Sequence, residues 1–330
     1  MSVPDSAPFR AVFLGCGHYL PNRVVTNDEL SAFLDTSDDW IRSRSGIRER
    51  RRAGEDETSA SMAETAGRMA IADAGLDPGD IDLIVLATTT PDRTFPATAT
   101  RVQRLLGIRS GFAYDLQAVC CGFVYGLAAA EGHLRCGRAK RALVIGSEVF
   151  SRLLDWEDRT TAVLFGDGAG AVVLAAEDAD ASERSASGLL AVRLRSDGAH
   201  EELLYVDGGV STGNIGHVRM NGREVFRHAV RNLATISEET LAAAGIGIDD
   251  VDWLVPHQAN IRIIESAARA IGLPRDRIVT TIAEHGNTSA ASIPLALSTA
   301  VRDGRIRRGD LILAEAMGGG LAWGAALFRW

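Results

Sequence analysis

YDLQAVCCGFVYGLAAAEGHL, residues 114–134, is the stretch on which the fold of this 330-residue chain turns. A short apolar strand over 112–116 runs into a turn carrying Cys120 and Cys121. A helix follows that is apolar on every side, through Phe123, Val124, Tyr125, Leu127, Ala128, Ala129 and Ala130. A helix without a polar face belongs in the core of a large domain. The same reading sets Cys120 at the helix N-terminus, where unpaired N–H groups and the macrodipole favour negative charge and a reactive thiolate at neutral pH. A free cysteine is equally at home as a small buried hydrophobe. This stretch alone leaves both readings open.

Around it the composition is that of an ordinary globular protein: 46% hydrophobic, 24% charged, with 34 glycines. The length suits one large or two medium domains. A net charge of −8 and the lack of any long basic run argue against a nucleic-acid partner. No segment reads as a membrane span, and the opening MSVPDSAPFR lacks a signal-peptide core. Four scattered cysteines (Cys16, Cys120, Cys121, Cys136) make no disulfide framework, and the adjacent pair lacks metal-ligand spacing. The expectation is a reduced, soluble, cytoplasmic protein without a metal.

Taken in order, FRAVFLGC (9–16) reads as a strand, and TNDEL (26–30) as an N-cap opening a helix. Trp40 stands among charges in DTSDDWIRSRSGIRER (35–50). Beside Arg42 and Arg44 it suits a planar or phosphorylated ligand, and it equally suits a half-buried place at a helix edge. Helix 58–75 leads to strand IDLIVLATTT (81–90), a continuous apolar run of the kind a parallel sheet buries on both faces. Helix 97–107, the cysteine unit and strand 141–148 follow. FGDGAGAVVLAAE (165–177) carries its glycines before a strand, the reverse of a phosphate loop, and reads as a tight turn into that strand.

DADASERSASG (178–188) reads as a linker, after which the chain repeats itself. DIDLIVLATTT (80–90) answers DVDWLVPHQAN (250–260) at an offset of 170, and ALVIGSE (142–148) answers LILAEA (311–316) at about the same offset. Gly168–Leu174 answers the run from Trp323 to Phe328. Two halves with one element order, 1–178 and 179–330, imply a duplicated α/β fold with two packed parallel-rich sheets. In the second half, strand 252–256 delivers His257 and a helix follows over 261–271. A strand over 277–282 delivers His285, Gly286 and Asn287, before a helix opening with TSAAS (288–292). Cys120, His257 and Asn287 are thus each expected just past a strand's C-terminal end, the edge where open α/β sheets bind ligands.

DTSDDWIRSRSGIRER, DLQAVCCGF, VPHQANIRII, HGNTSAAS and EAMGGGLAWGAAL resemble, in residues and in order, the signature segments of the β-ketoacyl-acyl-carrier-protein synthase III family. The resemblance runs nearly end to end. It implies a thiolase-like fold with duplicated βα halves and two packed mixed sheets layered αβαβα. It also implies an acyltransferase that starts fatty acid synthesis. Cys120 would be acylated by an acyl-CoA, while His257 and Asn287 bind and decarboxylate malonyl-acyl carrier protein. A thiolate is both nucleophile and leaving group, and His and Asn can both donate to a thioester oxygen becoming an enolate. The backbone N–H groups of Cys120 and Gly319 would form the second oxyanion hole.

By the same resemblance Trp40 and Arg159 hold the CoA adenine, with Thr36 and Arg44 nearby. Met220, Gly222, Phe226, Ala259 and Asn260 line the pantetheine tunnel. Phe95 closes the partner subunit's acyl pocket in a homodimer, and Met317 adjoins the active site where Phe is frequent. Arg262 and Arg269 share a helix face and, with Arg227, are expected to receive the acidic carrier protein. No cofactor is implied, acyl-CoA being a substrate. Cys121, Thr160, Arg223 and Met317 depart from the family pattern. Three other readings compete. A quinolone or polyketide starter enzyme could use the same three residues. A Cys-His-Asn thioester hydrolase would resolve its acyl-enzyme with water. A non-catalytic thiolase-fold partner would need none of the three.

Overall fold

The computed structural model describes residues 9–178 and 187–330. Most of the expected linker, and most of the stretch read for a signal peptide, lie outside the described residues. The first half runs β1 (Phe9–Tyr19), β2 (Arg23–Thr26), α1 (Asn27–Ser31), α2 (Asp38–Ser45), β3 (Glu49–Arg52) and α3 (Ser59–Asp73). It continues through β4 (Leu83–Ala87), α4 (Thr98–Leu106), β5 (Phe112–Leu116), α5 (Gly122–Arg135), β6 (Arg141–Glu148), α6 (Arg159–Ala162) and β7 (Gly168–Asp178). The second half runs β8 (Gly188–Ser196), β9 (Leu204–Val206), β10 (Val218–Met220), α7 (Gly222–Ala244) and β11 (Trp253–Pro256). It ends through α8 (Ile261–Ala270), α9 (Ile282–His285), α10 (Ser292–Arg302), β12 (Leu311–Gly318) and β13 (Ala322–Arg329).

Two large sheets result, ordered β1-β7-β6-β4-β5 and β11-β12-β13-β8. They are mixed rather than parallel-rich. Among the described strands, β6–β4, β4–β5 and β11–β12 pair in parallel. The returning strands β7 and β13 run antiparallel to β6 and β12. For β13 the cause is local: the glycine turn after β12 is a hairpin, which can join only antiparallel neighbours. Helices α5 and α10 lie between the sheets, α3 and α4 cover the outer face of the first, and α7 covers the second with α8 packed against it. The layering is αβαβα. The central helix α5 buries Phe123, Val124, Leu127, Ala130 and Leu134 in the main core, together with Phe13, Val144 and Phe328.

Over the central elements the repeat holds in the backbone to the residue. Helical turns open at 78 and 248, β4 and β11 at 83 and 253, and α5 and α10 at 122 and 292. β6 and β12 open at 141 and 311. Each central helix is preceded by a single 3-10 turn, at Val119–Cys121 and Ser289–Ala291. Val119 and Ser289 both sit at φ 49°, a conformation unfavourable for any side chain but glycine.

Two strands are shorter than the sequence suggests. The run 81–90 is a strand only over β4, because Thr88, Thr89 and Thr90 turn their hydroxyls to Glu148. The strand expected over 277–282 shrinks to one bridge, between Leu254 and Ile278. Gln258 takes the hydrogen bonds a strand would have made. Its Oε1 accepts the N–H groups of Thr281 (2.8 Å) and Ile282 (3.1 Å). Its Nε2 donates to the carbonyls of Pro256 (2.8 Å) and Val279 (3.2 Å). Among the described residues, no helix is long and apolar enough to cross a membrane.

Candidate active site

Cys120, His257 and Asn287 line one cavity of about 610 Å³, a volume ordinary for a small-molecule site. Cys120 occupies the turn between β5 and α5. His257 follows β11, where its N–H donates to the Glu315 carbonyl at 2.8 Å. Asn287 does not follow a strand as expected. It comes after α9 and is fixed by backbone bonds, its N–H to Leu164 O (2.9 Å) and its carbonyl to Gly166 N (2.9 Å). All three are more than nine-tenths buried.

Glycines let the backbone close on this centre. A Cβ on Gly318 would stand 2.7 Å from the Cys120 nitrogen, and one on Gly146 would stand 2.3 Å from the Ala290 carbonyl. Both distances are below any tolerable contact, so β12 and β6 can approach the two turns only as glycine. Gly319 is pressed against Leu204 O instead (2.4 Å to a built Cβ) and lies outside the cavity lining.

The electrostatics correct one expectation. Burial pushes the Cys120 thiol up to about 12; the Ser289 hydrogen bond opposes this and Glu148 adds to it. The resting residue is therefore a thiol, not the thiolate the helix terminus suggested. The full helix starts only at Gly122, two residues later, and desolvation of the charged form dominates. Burial also pulls His257 down to about 3, so its ring is neutral. His257 Nδ1 meets Ser292 Oγ at 2.6 Å, and that oxygen also accepts the Gln258 N–H at 3.3 Å. Asn287 Oδ1 accepts the Ser289 N–H at 2.9 Å, which leaves its NH2 as a donor. Cys121 joins the core beside Phe123 and Val124, with no exposed surface.

The cavity wall takes in Trp40, Arg44, Met220, Gly222 and Phe226, and also Ala259, Asn260 and Met317. Asn260 caps α8 through the Arg262 N–H and donates to Arg44 O at 2.9 Å, tying α8 to α2. Trp40 takes the helix-edge place that one of its readings gave it. It is half-buried at the edge of α2, with the Arg44 and Arg159 guanidinium carbons 4.7 and 5.3 Å from its ring. Arg159 stands outside the lining, bonded to Asp35; Thr36, close by, is also outside it. Of the departures, Thr160 and Arg223 line the cavity and Cys121 does not.

Arg262 lies 5.8 Å from the Phe226 ring, so the starts of α7 and α8 meet at the cavity. Arg227 is exposed beside it and paired with Glu224 at 2.6 Å. Arg269 is exposed two turns further along α8. Phe95 is 82% exposed and is not among the residues of the lining. Sequence reasoning passed over Ser289, Ser292 and Glu315 at this centre, and the wall residues Ala229, Leu233 and Ile264 from the inner faces of α7 and α8. The one signal was a polar residue closing an apolar strand, as in LILAEA. Among the described residues no cluster of three His, Cys, Asp or Glu could hold a metal.

Two family models match, described as 3-Oxoacyl-[acyl-carrier-protein (ACP)] synthase III over residues 114–198 and its C-terminal part over 241–330. A curated relative from Rhodospirillum centenum, named beta-ketoacyl-[acyl-carrier-protein] synthase III, is 60% identical over 98% of this chain and 100% of its own. The solved 3-oxoacyl-(acyl carrier protein) synthase III of Pseudomonas aeruginosa superposes with a TM-score of 0.92 at 45% identity, covering 97% of this chain and 98% of its own. The priming beta-ketosynthase of the R1128 polyketide pathway superposes with a TM-score of 0.91, at 34% identity over 100% of this chain and 98% of its own.

Proposed function

The chain belongs to the β-ketoacyl-acyl-carrier-protein synthase III family and is an initiating condensing acyltransferase of fatty acid synthesis, and on that premise we propose how its own residues divide the work. Cys120 accepts the acyl group of a short acyl-CoA, acetyl-CoA first among them. His257 and Asn287 then hold the malonyl thioester of acyl carrier protein. CO2 leaves, and the carbanion attacks the acyl-Cys120 to give a 3-oxoacyl-acyl carrier protein. The observation that carries this reading is the convergence of a buried thiol, a neutral imidazole and an amide on one cavity. Ser292 already receives the Gln258 N–H, so its hydroxyl proton is free for His257 Nδ1. The ring proton then stands on Nε2, as a donor to a developing oxyanion.

CoA enters between α2 and the start of α7, its adenine against Trp40 with Arg159 and Arg44, near Thr36. Its pantetheine runs past Met220, Gly222, Phe226, Ala259 and Asn260. The N–H groups of Cys120 and Gly319 receive the oxyanion of the acyl half-reaction. We also propose that the halves 1–178 and 179–330 are the two thiolase-like units, and that the enzyme works as a cytoplasmic homodimer without a cofactor. Exposed Phe95, Val210 (78%) and Ile215 (79%) support an apolar contact between copies. The polyketide-starter reading rests on a more distant likeness than the fatty acid relatives do.

The test is product analysis with malonyl-acyl carrier protein and acyl-CoAs of rising length. Acetyl-CoA should give acetoacetyl-acyl carrier protein, with propionyl accepted and four- or five-carbon branched primers used weakly. Free acid instead would mark a hydrolase. Each methylene that fits gains only about 0.8 kcal/mol, whereas overpacking costs roughly 1–3 kcal/mol. Phe95→Ala should therefore raise kcat/KM for butyryl- and octanoyl-CoA. Octanoyl preference in the unmodified enzyme, or no gain in Phe95→Ala, would sink the pocket assignment alone.

Arg227, Arg262 and Arg269 form the docking face for the acidic carrier protein. Arg262→Glu should raise KM for malonyl-acyl carrier protein several-fold, more at low salt, and leave KM for acetyl-CoA nearly unchanged. Equal loss toward both substrates would argue against docking there.

A further inference from the structure

Asn287 serves a thioester oxygen only while its amide turns the NH2, and not the carbonyl, toward that oxygen. Its backbone is fixed at Leu164 and Gly166, but those bonds leave the side chain free to turn over. A turned amide would set Oδ1, an acceptor, where a donor is needed. The amide is set by the Ser289 N–H, which donates to Asn287 Oδ1 at 2.9 Å. The aim of that N–H depends in turn on Ser289 holding φ at 49°. A residue with a Cβ keeps such a conformation only where its surroundings impose it.

One of the groups that impose it stands at the end of β6, far away in sequence. Glu148 has no exposed surface, and its carboxylate is gripped by the residues that follow β4. It accepts from Thr90 Oγ1 (2.8 Å), Thr89 Oγ1 (2.9 Å), Thr89 N (3.1 Å) and Thr88 Oγ1 (3.3 Å). Held there, Glu148 Oε1 accepts the Ser289 hydroxyl at 3.1 Å, in a buried bond. Gly146 lets β6 come this close, since a Cβ on it would stand 2.3 Å from the Ala290 carbonyl. Neither Glu148 nor Ser289 belongs to the cavity lining, so both act from behind it.

We propose that Glu148 is a positioning residue for the malonyl half-reaction. By anchoring the Ser289 side chain it holds the turn whose N–H fixes the Asn287 amide with its NH2 toward the thioester. The proposal rests on Asn287 being a donor to that thioester. No proton moves along these contacts; each link orients the next. Ser289 is pinned at two points, its hydroxyl on Glu148 and its N–H on Asn287, and the two bonds offset the strain of the φ between them. On the acyl half-reaction Glu148 acts with the opposite sign. Ionised, it pushes the Cys120 thiol up, so a neutral replacement favours the thiolate and does not slow acetyl uptake. Damage to the fold would slow both half-reactions.

The test separates the two half-reactions in Glu148→Ala, Glu148→Gln, Ser289→Ala, the Glu148→Ala/Ser289→Ala pair and Asn287→Ala. Acetyl uptake from acetyl-CoA is followed by mass spectrometry of the intact chain, and CO2 release from malonyl-acyl carrier protein by its steady-state rate. Glu148→Ala and Ser289→Ala should each lower kcat for CO2 release by about ten- to a hundred-fold. KM for malonyl-acyl carrier protein and the rate of acetyl uptake should stay nearly unchanged. Glu148→Gln, whose amide oxygen can still accept the Ser289 hydroxyl, should recover most of the loss. The double variant should be no slower than either single one, because the two residues act as one unit. Unchanged CO2 release in Glu148→Ala, no recovery in Glu148→Gln, or additive losses in the pair would overturn the proposal. So would acetyl uptake that falls in step with CO2 release. If Glu148→Ala does not fold, Ser289→Ala and Glu148→Gln decide by the same split. Full CO2 release in Asn287→Ala would overturn the donor role of Asn287 instead.

Discussion

Cys120→Ala should abolish condensation, while Cys121→Ala should retain most of it. Deleting a nucleophile that works in concert with other groups costs about a million-fold in rate in well-studied cases. Cys120 earns that expectation by lining the cavity with His257 and Asn287. Cys121, one residue on, is directed into the core beside Phe123 and Val124. Burial and the neighbouring Cys120 hold its thiol well above the usual range, so it stays protonated. Removing its sulfur leaves a small void, worth about 1 kcal/mol of stability by analogy with other small core deletions. The decisive measurement is the mass of a proteolytic peptide after incubation with acetyl-CoA, with fragmentation between the two cysteines. Acetyl on Cys121, or full turnover by Cys120→Ala, would reverse the assignment.

His257→Ala should lose condensation by about a hundred- to a thousand-fold, the usual scale for one oxyanion donor, while Cys120 should still take up acetyl groups. On the proposed division of roles the two half-reactions part, with His257 donating to the malonyl thioester and backbone N–H groups receiving the acyl oxyanion. Its low value of about 3 adds a second expectation. The ring stays neutral across the working range, so the condensation rate carries no limb from His257 between about pH 5 and 8. Separate assays of acetyl uptake and of CO2 release from malonyl-acyl carrier protein check this. Uptake lost with CO2 release spared would mean the roles are exchanged.

Much of this was legible in the sequence, because the fold repeats and the repeat carries its own punctuation. The offset of 170 seen in two strands also governs the helical turns and the central helices. The Cys120 turn, His257 and the wall residues of α2 and α8 follow from short, distinctive segments. What escaped is set by distance in space. Gln258 looks like a loop residue, and only the folded chain shows its amide replacing a strand. Ser289 and Glu148 lie 141 residues apart and meet in a buried hydrogen bond. The thiol's protonation reflects how completely its surroundings exclude water, which no local pattern records.

The substitution of one amide for a strand also bears on how the protein stays out of trouble. β11 is four residues long and flanks the outer side of its sheet, where a bare strand invites strand addition from another chain. Here the Leu254 carbonyl is taken by the Val279 N–H at 2.9 Å and the Pro256 carbonyl by Gln258. Proline offers no N–H of its own. A nascent or heated chain in which Gln258 has lost its grip would present those carbonyls together. Gln258, next to His257, thus helps to leave this edge without bare carbonyls for another chain to pair with.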